Sequence, residues 1–152
     1  MEKLEQIAAK ILAFKDKMDI QKDWAHFELD FSTDFENRKI ITDKIKAEIN
    51  NHKSTMGLYA IFKNGKCLYI GIGRPIWSRI KSHYYASQKR INPKSTRWID
   101  FFSNNRSKLT IYWTEFKGSE NPKQGDKLRQ VIENILHEKY QPEFEKIKRR
   151  RK

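Results

Sequence analysis

The stretch Gly57-Leu58-Tyr59-Ala60-Ile61-Phe62-Lys63-Asn64-Gly65-Lys66-Cys67-Leu68-Tyr69-Ile70-Gly71 decides the fold. Asn64-Gly65 is the strongest short signal for a β-hairpin turn, because the favoured turns need left-handed backbone that Asn and Gly adopt at little cost. Both arms are rich in β-branched and aromatic residues, which suit a pleated, half-buried surface. The pattern predicts two paired strands, each carrying one tyrosine. A plain two-residue turn pairs Tyr59 with Ile70, and the alternation of side chains then puts Tyr59 and Tyr69 on opposite faces. A register one residue away, pairing Ile61 with Tyr69, brings both phenols to one face. We expect that register, produced by a three-residue connection with Gly65 left-handed in a bulge. A regular two-residue turn is expected to remove Tyr69 from any shared site.

Downstream, Pro75 can open a helix at its first position, and Ile76, Trp77 and Ile80 can dock it on the sheet. Arg79 and His83 are four apart and share a face of that helix. Trp98, Ile99, Phe101 and Phe102 predict a short helix within residues 92–105, and Leu109 to Phe116 reads as a third strand. After a loop with Gly118 and Pro122, Leu128, Val131, Ile132, Ile135 and Leu136 predict the buried stripe of a helix from about Asp126 to Lys139. Upstream, Leu4, Ile7, Ala8, Ile11 and Leu12 predict a helix from about Lys3 to Met18. Phe27, Leu29 and Phe31 alternate with acids, as in a short half-buried strand or an extended segment. Thr33-Asp34-Phe35-Glu36 has the capping-box pattern, and Ile41, Ile45 and Ile49 predict a helix to about Asn51. The order of elements predicts an α+β fold: a small three-stranded antiparallel sheet flanked by helices, with a mainly helical N-terminal extension. We expect residues 1–55 as that extension packing on the core, 56–146 as the motif-bearing domain, and 147–152 as a basic tail.

At 152 residues the chain suffices for one domain with an appendage. The net charge of +13 is segregated: residues 1–55 hold 10 Lys or Arg against 11 Asp or Glu, while residues 56–152 hold 22 against 8. A basic surface on the motif half suits a polyphosphate partner, whose neutralised phosphates release counterions. Cys67 is the only cysteine, so no intrachain disulfide forms, and no apolar run is long enough to span a membrane. A reducing cytoplasm is the expected setting, and Cys67 is expected to be a packing residue. A membrane-surface role is disfavoured, since the basic tail has no adjacent amphipathic face.

Taken together, Gly57-Leu58-Tyr59, Tyr69-Ile70-Gly71, Arg79, His83, Glu133 and Pro142-Glu143-Phe144 resemble the GIY-YIG nuclease superfamily, which includes excision-repair, intron-homing and some restriction nucleases. The resemblance covers residues 56–146. Gly-Leu-Tyr is a mild variant of the first motif, and Glu145 stands where that superfamily usually has asparagine. The resemblance implies a metal-dependent endonuclease acting on DNA in repair, recombination or mobile-element chemistry. It implies Tyr59 as proton acceptor from the attacking water, Tyr69 as a residue positioning phosphate or water, and Arg79 as the cation on the phosphate. It further implies His83 as an aid to the phenol and Glu133 as ligand to Mg2+ or Mn2+.

These residue types suit the chemistry. Phosphodiester hydrolysis needs an activated water, neutralisation of growing negative charge and help for the leaving alkoxide. One carboxylate suits Mg2+, which keeps most of its waters. A free phenol, with pKa near ~10, is a poor base unless a cation favours its phenolate. Taken singly, each residue has a plainer explanation: strand aromatics for Tyr59 and Tyr69, a solvated helix face for Arg79 and His83, and a surface pair with Arg129 for Glu133. Tyr84 and Tyr85 are expected to pack. Arg74, Lys81, Lys89, Arg90 and Arg97 are the expected nucleic-acid contacts. The alternatives are a catalytically silent nucleic-acid-binding module of the same fold, a restriction-type enzyme, or an RNA-directed nuclease. The extension offers a surface for a second copy of the chain or a partner protein.

Overall fold

The computed structural model describes residues 4–88 and 96–150. Its elements are α1 (Leu4–Ala13), α2 (Ile20–Asp23), β1 (Ala25–Asp30), α3 (Arg38–Glu48), β2 (Gly57–Lys63) and β3 (Lys66–Gly73), followed by α4 (Ile76–Ser87), α5 (Thr96–Ser103), β4 (Lys108–Glu115), α6 (Pro122–Tyr140) and α7 (Glu143–Arg150). The class is α+β, with a four-stranded antiparallel sheet in the order β1-β4-β2-β3. The fourth strand, missing from the three-strand expectation, comes from the near-neutral prefix. Phe27 and Leu29 on β1 are buried while Ala25, His26, Glu28 and Asp30 are exposed, the alternation of an edge strand with one wet face.

The sheet separates two apolar layers. On one side Tyr59 and Ile61 of β2 and Leu109 and Ile111 of β4 meet Ile41 and Ile45 of α3, Ile76, Ile80 and Tyr84 of α4, and Phe101 and Phe102 of α5. On the other, Leu58, Ala60, Phe62 and Ile70 meet Ile132 and Leu136 of α6 together with Phe14, Ile20 and Trp24. The prefix therefore contributes to both layers.

The hairpin reaches the expected register by a different route. Ile61 pairs with Tyr69 and Tyr59 with Gly71, but Lys63 pairs with Lys66, so the connection is a two-residue turn with Asn64 and Gly65 both left-handed (φ 51° and 81°). The extra residue lies higher on β3, where pairing steps from Phe62–Cys67 to Ile61–Tyr69 and leaves Leu68 unmatched. Leu68 and Tyr69 then face the same layer while Cys67 and Ile70 face the other. A bulge shifts register wherever it sits, so the regular turn does not remove Tyr69 from the site.

Several boundaries also differ from expectation. Helix α1 ends at Ala13 and gives way to a 3-10 turn over Phe14–Lys17. Ahead of α3 the backbone makes a 3-10 turn over Phe35–Asn37, and Asp34 makes no side-chain cap. Pro75 precedes α4 as its cap residue. Helix α6 starts at Pro122, with the Asn121 side chain accepting from the Gln124 backbone N–H. Of its predicted stripe, Leu128, Ile132 and Leu136 are buried, whereas Val131 and Ile135 are exposed because the sheet covers a narrower arc than the sequence pattern offers. Residues 143–150 form α7, with Phe144 packed on Phe101 and Tyr69.

Candidate functional site

Tyr69, Arg79 and Glu133 line one cleft of about 540 Å3, with Arg74, Pro75, Ser78, Asp126 and Gln130 around them. Three elements place them: the bulged strand β3, the first turn of α4 and the middle of α6. The glycines of the hairpin permit the close approach. A Cβ on Gly71 would lie 2.7 Å from the Tyr59 hydroxyl oxygen and 2.7 Å from Cε1 of Tyr69, and a Cβ on Gly57 would lie 2.1 Å from the Thr114 carbonyl oxygen. The two tyrosine rings stack at 5.9 Å between centroids.

Behind Tyr69, Tyr59 is fully buried and absent from the cleft wall. Its hydroxyl lies 2.5 Å from His83 Nε2, and His83 is itself fully buried. Burial pushes the Tyr59 phenol well above its ordinary range, and neighbouring Tyr69 adds to the rise against the opposing pull of the Arg79 guanidinium. Burial likewise raises Tyr69, again opposed by Arg79. His83 is driven well below the ordinary imidazole value by burial and then by the Arg79 charge. The imidazole is therefore neutral at pH 7, and its Nε2 can accept a hydrogen bond from the phenol. Its Nδ1 is buried without a partner among the described residues.

Arg79, half-buried, bridges the phenols and the cleft; the two hydroxyls beside it raise its pKa although desolvation acts the other way. Its guanidinium carbon lies 5.5 Å from the centre of the Trp98 ring, and that ring lies 4.8 Å from His83. Trp98 was missed by sequence reasoning as a site residue. Its only local signal is the i,i+4 spacing to Phe102, which marks a helix face and nothing about Arg79. Asp126 was also missed. It holds Arg74 at 2.8 Å through both carboxylate oxygens and Arg129 at 2.6 Å, and these bonds lower its pKa.

Glu133 accepts from Gln130 Nε2 at 3.1 Å on the cleft wall. The suggested surface pair with Arg129 gives way to a different arrangement. Arg129 is buried, with Nη1 donating to the carbonyls of Phe116 and Lys117 and Nη2 to Asp126. Among the described residues no three His, Cys, Asp or Glu side chains form a metal cluster. A hydrated magnesium ion needs no such cluster, and a single hard carboxylate opening on a wet cleft fits it. Glu145 lies 3.8 Å from His137 Nδ1, whose Nε2 is 2.9 Å from the Ile70 carbonyl, so it stands beside the helix-to-strand contact and off the cleft wall.

The remaining sequence-predicted residues scatter. Arg74 is on the cleft, Lys81 sits over the rings of Trp77 and Tyr85, and Arg97 lines a separate cleft with Lys63, Lys66 and Phe101. Lys89 and Arg90 lie outside the described residues. Tyr84 is a packing residue whose hydroxyl donates to the carbonyls of Thr33 and Asp34. Cys67 is buried, its thiol pushed up to about 12 chiefly by burial, so it is no nucleophile at neutral pH. No helix among the described residues is long and apolar enough to cross a membrane. Compared with models of protein families, with curated proteins and with solved structures, the chain gives no match.

Proposed function

We propose that the protein is a divalent-metal-dependent endonuclease of the GIY-YIG kind, hydrolysing phosphodiester bonds in DNA. The observation that carries this reading is the meeting of Tyr69, Arg79 and Glu133 around one cleft, with Tyr59 and His83 hydrogen-bonded directly behind. The spacing of these residues along the chain is what the resemblance relies on, and their convergence is independent of it. The charge of the motif half suits the polyanionic substrate.

Arg79 holds a non-bridging phosphate oxygen as negative charge grows there. Its fork is fixed by the two phenols and the Trp98 face, so little reorganisation is required. Glu133 is the residue that would hold Mg2+ or Mn2+. When bound, that ion supplies positive charge to the phosphate and leaving oxygens. Tyr69 is the phenol facing the cleft and meets the attacking water. Tyr59, which the resemblance makes the proton acceptor, is buried, so it works one step back. The neutral His83 Nε2 accepts a hydrogen bond from the Tyr59 hydroxyl and so fixes Tyr59 behind Tyr69, while the proton of the attacking water leaves from the Tyr69 hydroxyl into the water of the cleft.

Purified protein incubated with supercoiled, linear and branched DNA, and with RNA of the same sequence, tests the proposal in Mg2+ and in EDTA. Metal-dependent DNA cleavage is expected. Binding without cleavage on every substrate favours the silent module, and cleavage confined to RNA favours an RNA-directed nuclease. Base contacts rather than phosphate contacts set sequence preference, so the branched arm separates structure-directed cutting from restriction-type cutting.

A further inference from the structure

We infer that the outer face shared by α3, the turn before it and α4 binds an unpaired nucleic-acid strand and leads it toward the cleft. Cations and aromatic rings alternate along this face. The Arg38 guanidinium lies 4.9 Å from the Phe35 ring centre, and Phe35 meets Tyr85 at 5.2 Å. Lys81 Nζ is 5.7 Å from the Tyr85 ring and 5.0 Å from the Trp77 ring, and Lys46 Nζ is 4.7 Å from Trp77 on the far side of the row. The three rings rest one side on the core and are half-exposed on the other.

A row of half-buried rings covered by long basic side chains can be no more than the rim of a core. Two features argue for more. This one face gathers three cations within about 6 Å of ring centres, Lys81 reaching two rings. None of Arg38, Lys46 or Lys81 is in an ion pair with a described residue, so no close carboxylate has to be displaced for a phosphate to meet them. A strand with exposed bases satisfies both halves of the row: phosphates take the cations and bases take the ring faces they leave. A duplex keeps its base faces stacked inside and can use only the cations.

The face is continuous with the cleft. On a helix with about 3.6 residues per turn, Ser78 and Ser82 lie between Arg79 on one side and Lys81 and Trp77 on the other. Both serines are half-exposed and small, Ser82 Oγ donating back to the Ser78 carbonyl at 3.0 Å, and Ser78 is itself on the cleft wall. A strand lying on the row thus crosses a low part of α4 before reaching Arg79. This deepens the nuclease proposal and rests on it only for that last step.

Fluorescence anisotropy without divalent metal tests the surface, using the full chain with labelled oligothymidylate, oligouridylate and a DNA duplex of equal length. Oligonucleotides are expected to bind, and Trp77→Ala and Tyr85→Ala each to weaken that binding about tenfold while changing duplex binding less than about twofold. The tighter of the two oligonucleotides identifies the polymer. The double variant Lys46→Gln, Lys81→Gln leaves the rings packed and decides the matter if the aromatic variants lose their circular dichroism. Its salt slope for the oligonucleotide is expected to fall by roughly 0.7 per lysine. Unchanged single-strand binding in the folded variants, or equal loss on duplex and single strand, overturns the inference. Cleavage is scored separately: ring-dependent binding with no cleavage anywhere sinks the nuclease proposal and leaves the surface standing, and duplex cleavage with ring-independent binding does the reverse.

Discussion

Gly71 lacks a side chain at the one place where two aromatic rings need its space. Gly71→Ala forces either the rings or the strand to move. A loss of about 1–3 kcal/mol in urea unfolding is expected, with a larger loss of cleavage than of stability. His83 offers a second test at this scale. Because its folded pKa is depressed, the unfolded chain binds the extra proton first as pH falls below about 6.5, so stability is full above that pH and declines below it. The slope approaches about 1.4 kcal/mol per pH unit before the carboxylates contribute, and His83→Gln is expected to flatten it. Urea midpoints between pH 7 and pH 5 measure both. Equal slopes for wild type and variant would mean His83 is not held neutral. The residue types of the site were legible because few side chains combine charge, hardness and hydrogen bonding as Arg, Glu and Tyr do. The depth of Tyr59 was not, since a strand residue's burial depends on what covers its face.

At the level of elements, the Ile61–Tyr69 pairing followed from requiring both phenols on one face, while the location of the bulge did not. An Asn-Gly turn announces itself through its backbone needs, whereas Leu68 at a bulge has no local chemical mark. Deleting Leu68 is expected to give an unbroken ladder from the same two-residue turn with Ile61 still opposite Tyr69, so both phenols keep the α4 side of the sheet. Cleavage should stay within about tenfold of wild type, with the far-ultraviolet spectrum largely kept, because the register that brings the phenols together is unchanged. Loss of activity in the folded variant would mean that the bulge itself, and not only the register it sets, positions Tyr69. Helix α6 was legible through Leu128, Ile132 and Leu136, but its exposed Val131 and Ile135 follow the same period. Periodicity marks the apolar arc of a helix and not how much of it a neighbour covers. Helix α7 lies in a run of charges, where Phe144 packs on the aromatic layer.

For the whole molecule, the near-neutral prefix and the basic half are one structure: β1 pairs with β4, and Phe27, Leu29, Ile41, Ile45 and Ile49 belong to the same apolar layer as Tyr59. Alternating acids made β1 ambiguous in sequence, since an edge strand and an extended segment look alike until a partner strand is known. A chain beginning at Met56 is expected to lose cooperative thermal unfolding, because it strips one edge and much of one layer. A sharp transition in that fragment would make the prefix a true appendage. The central claim is that the Tyr69, Arg79 and Glu133 cleft hydrolyses phosphodiesters with a metal on Glu133. It is tested most directly by the rate of supercoiled plasmid nicking in Mg2+ for wild type and Glu133→Gln, at protein concentrations where both bind DNA equally. Nicking by wild type that EDTA stops, and a fall of at least about a hundredfold in Glu133→Gln, is the expected result. Equal nicking by the two proteins would contradict the claim.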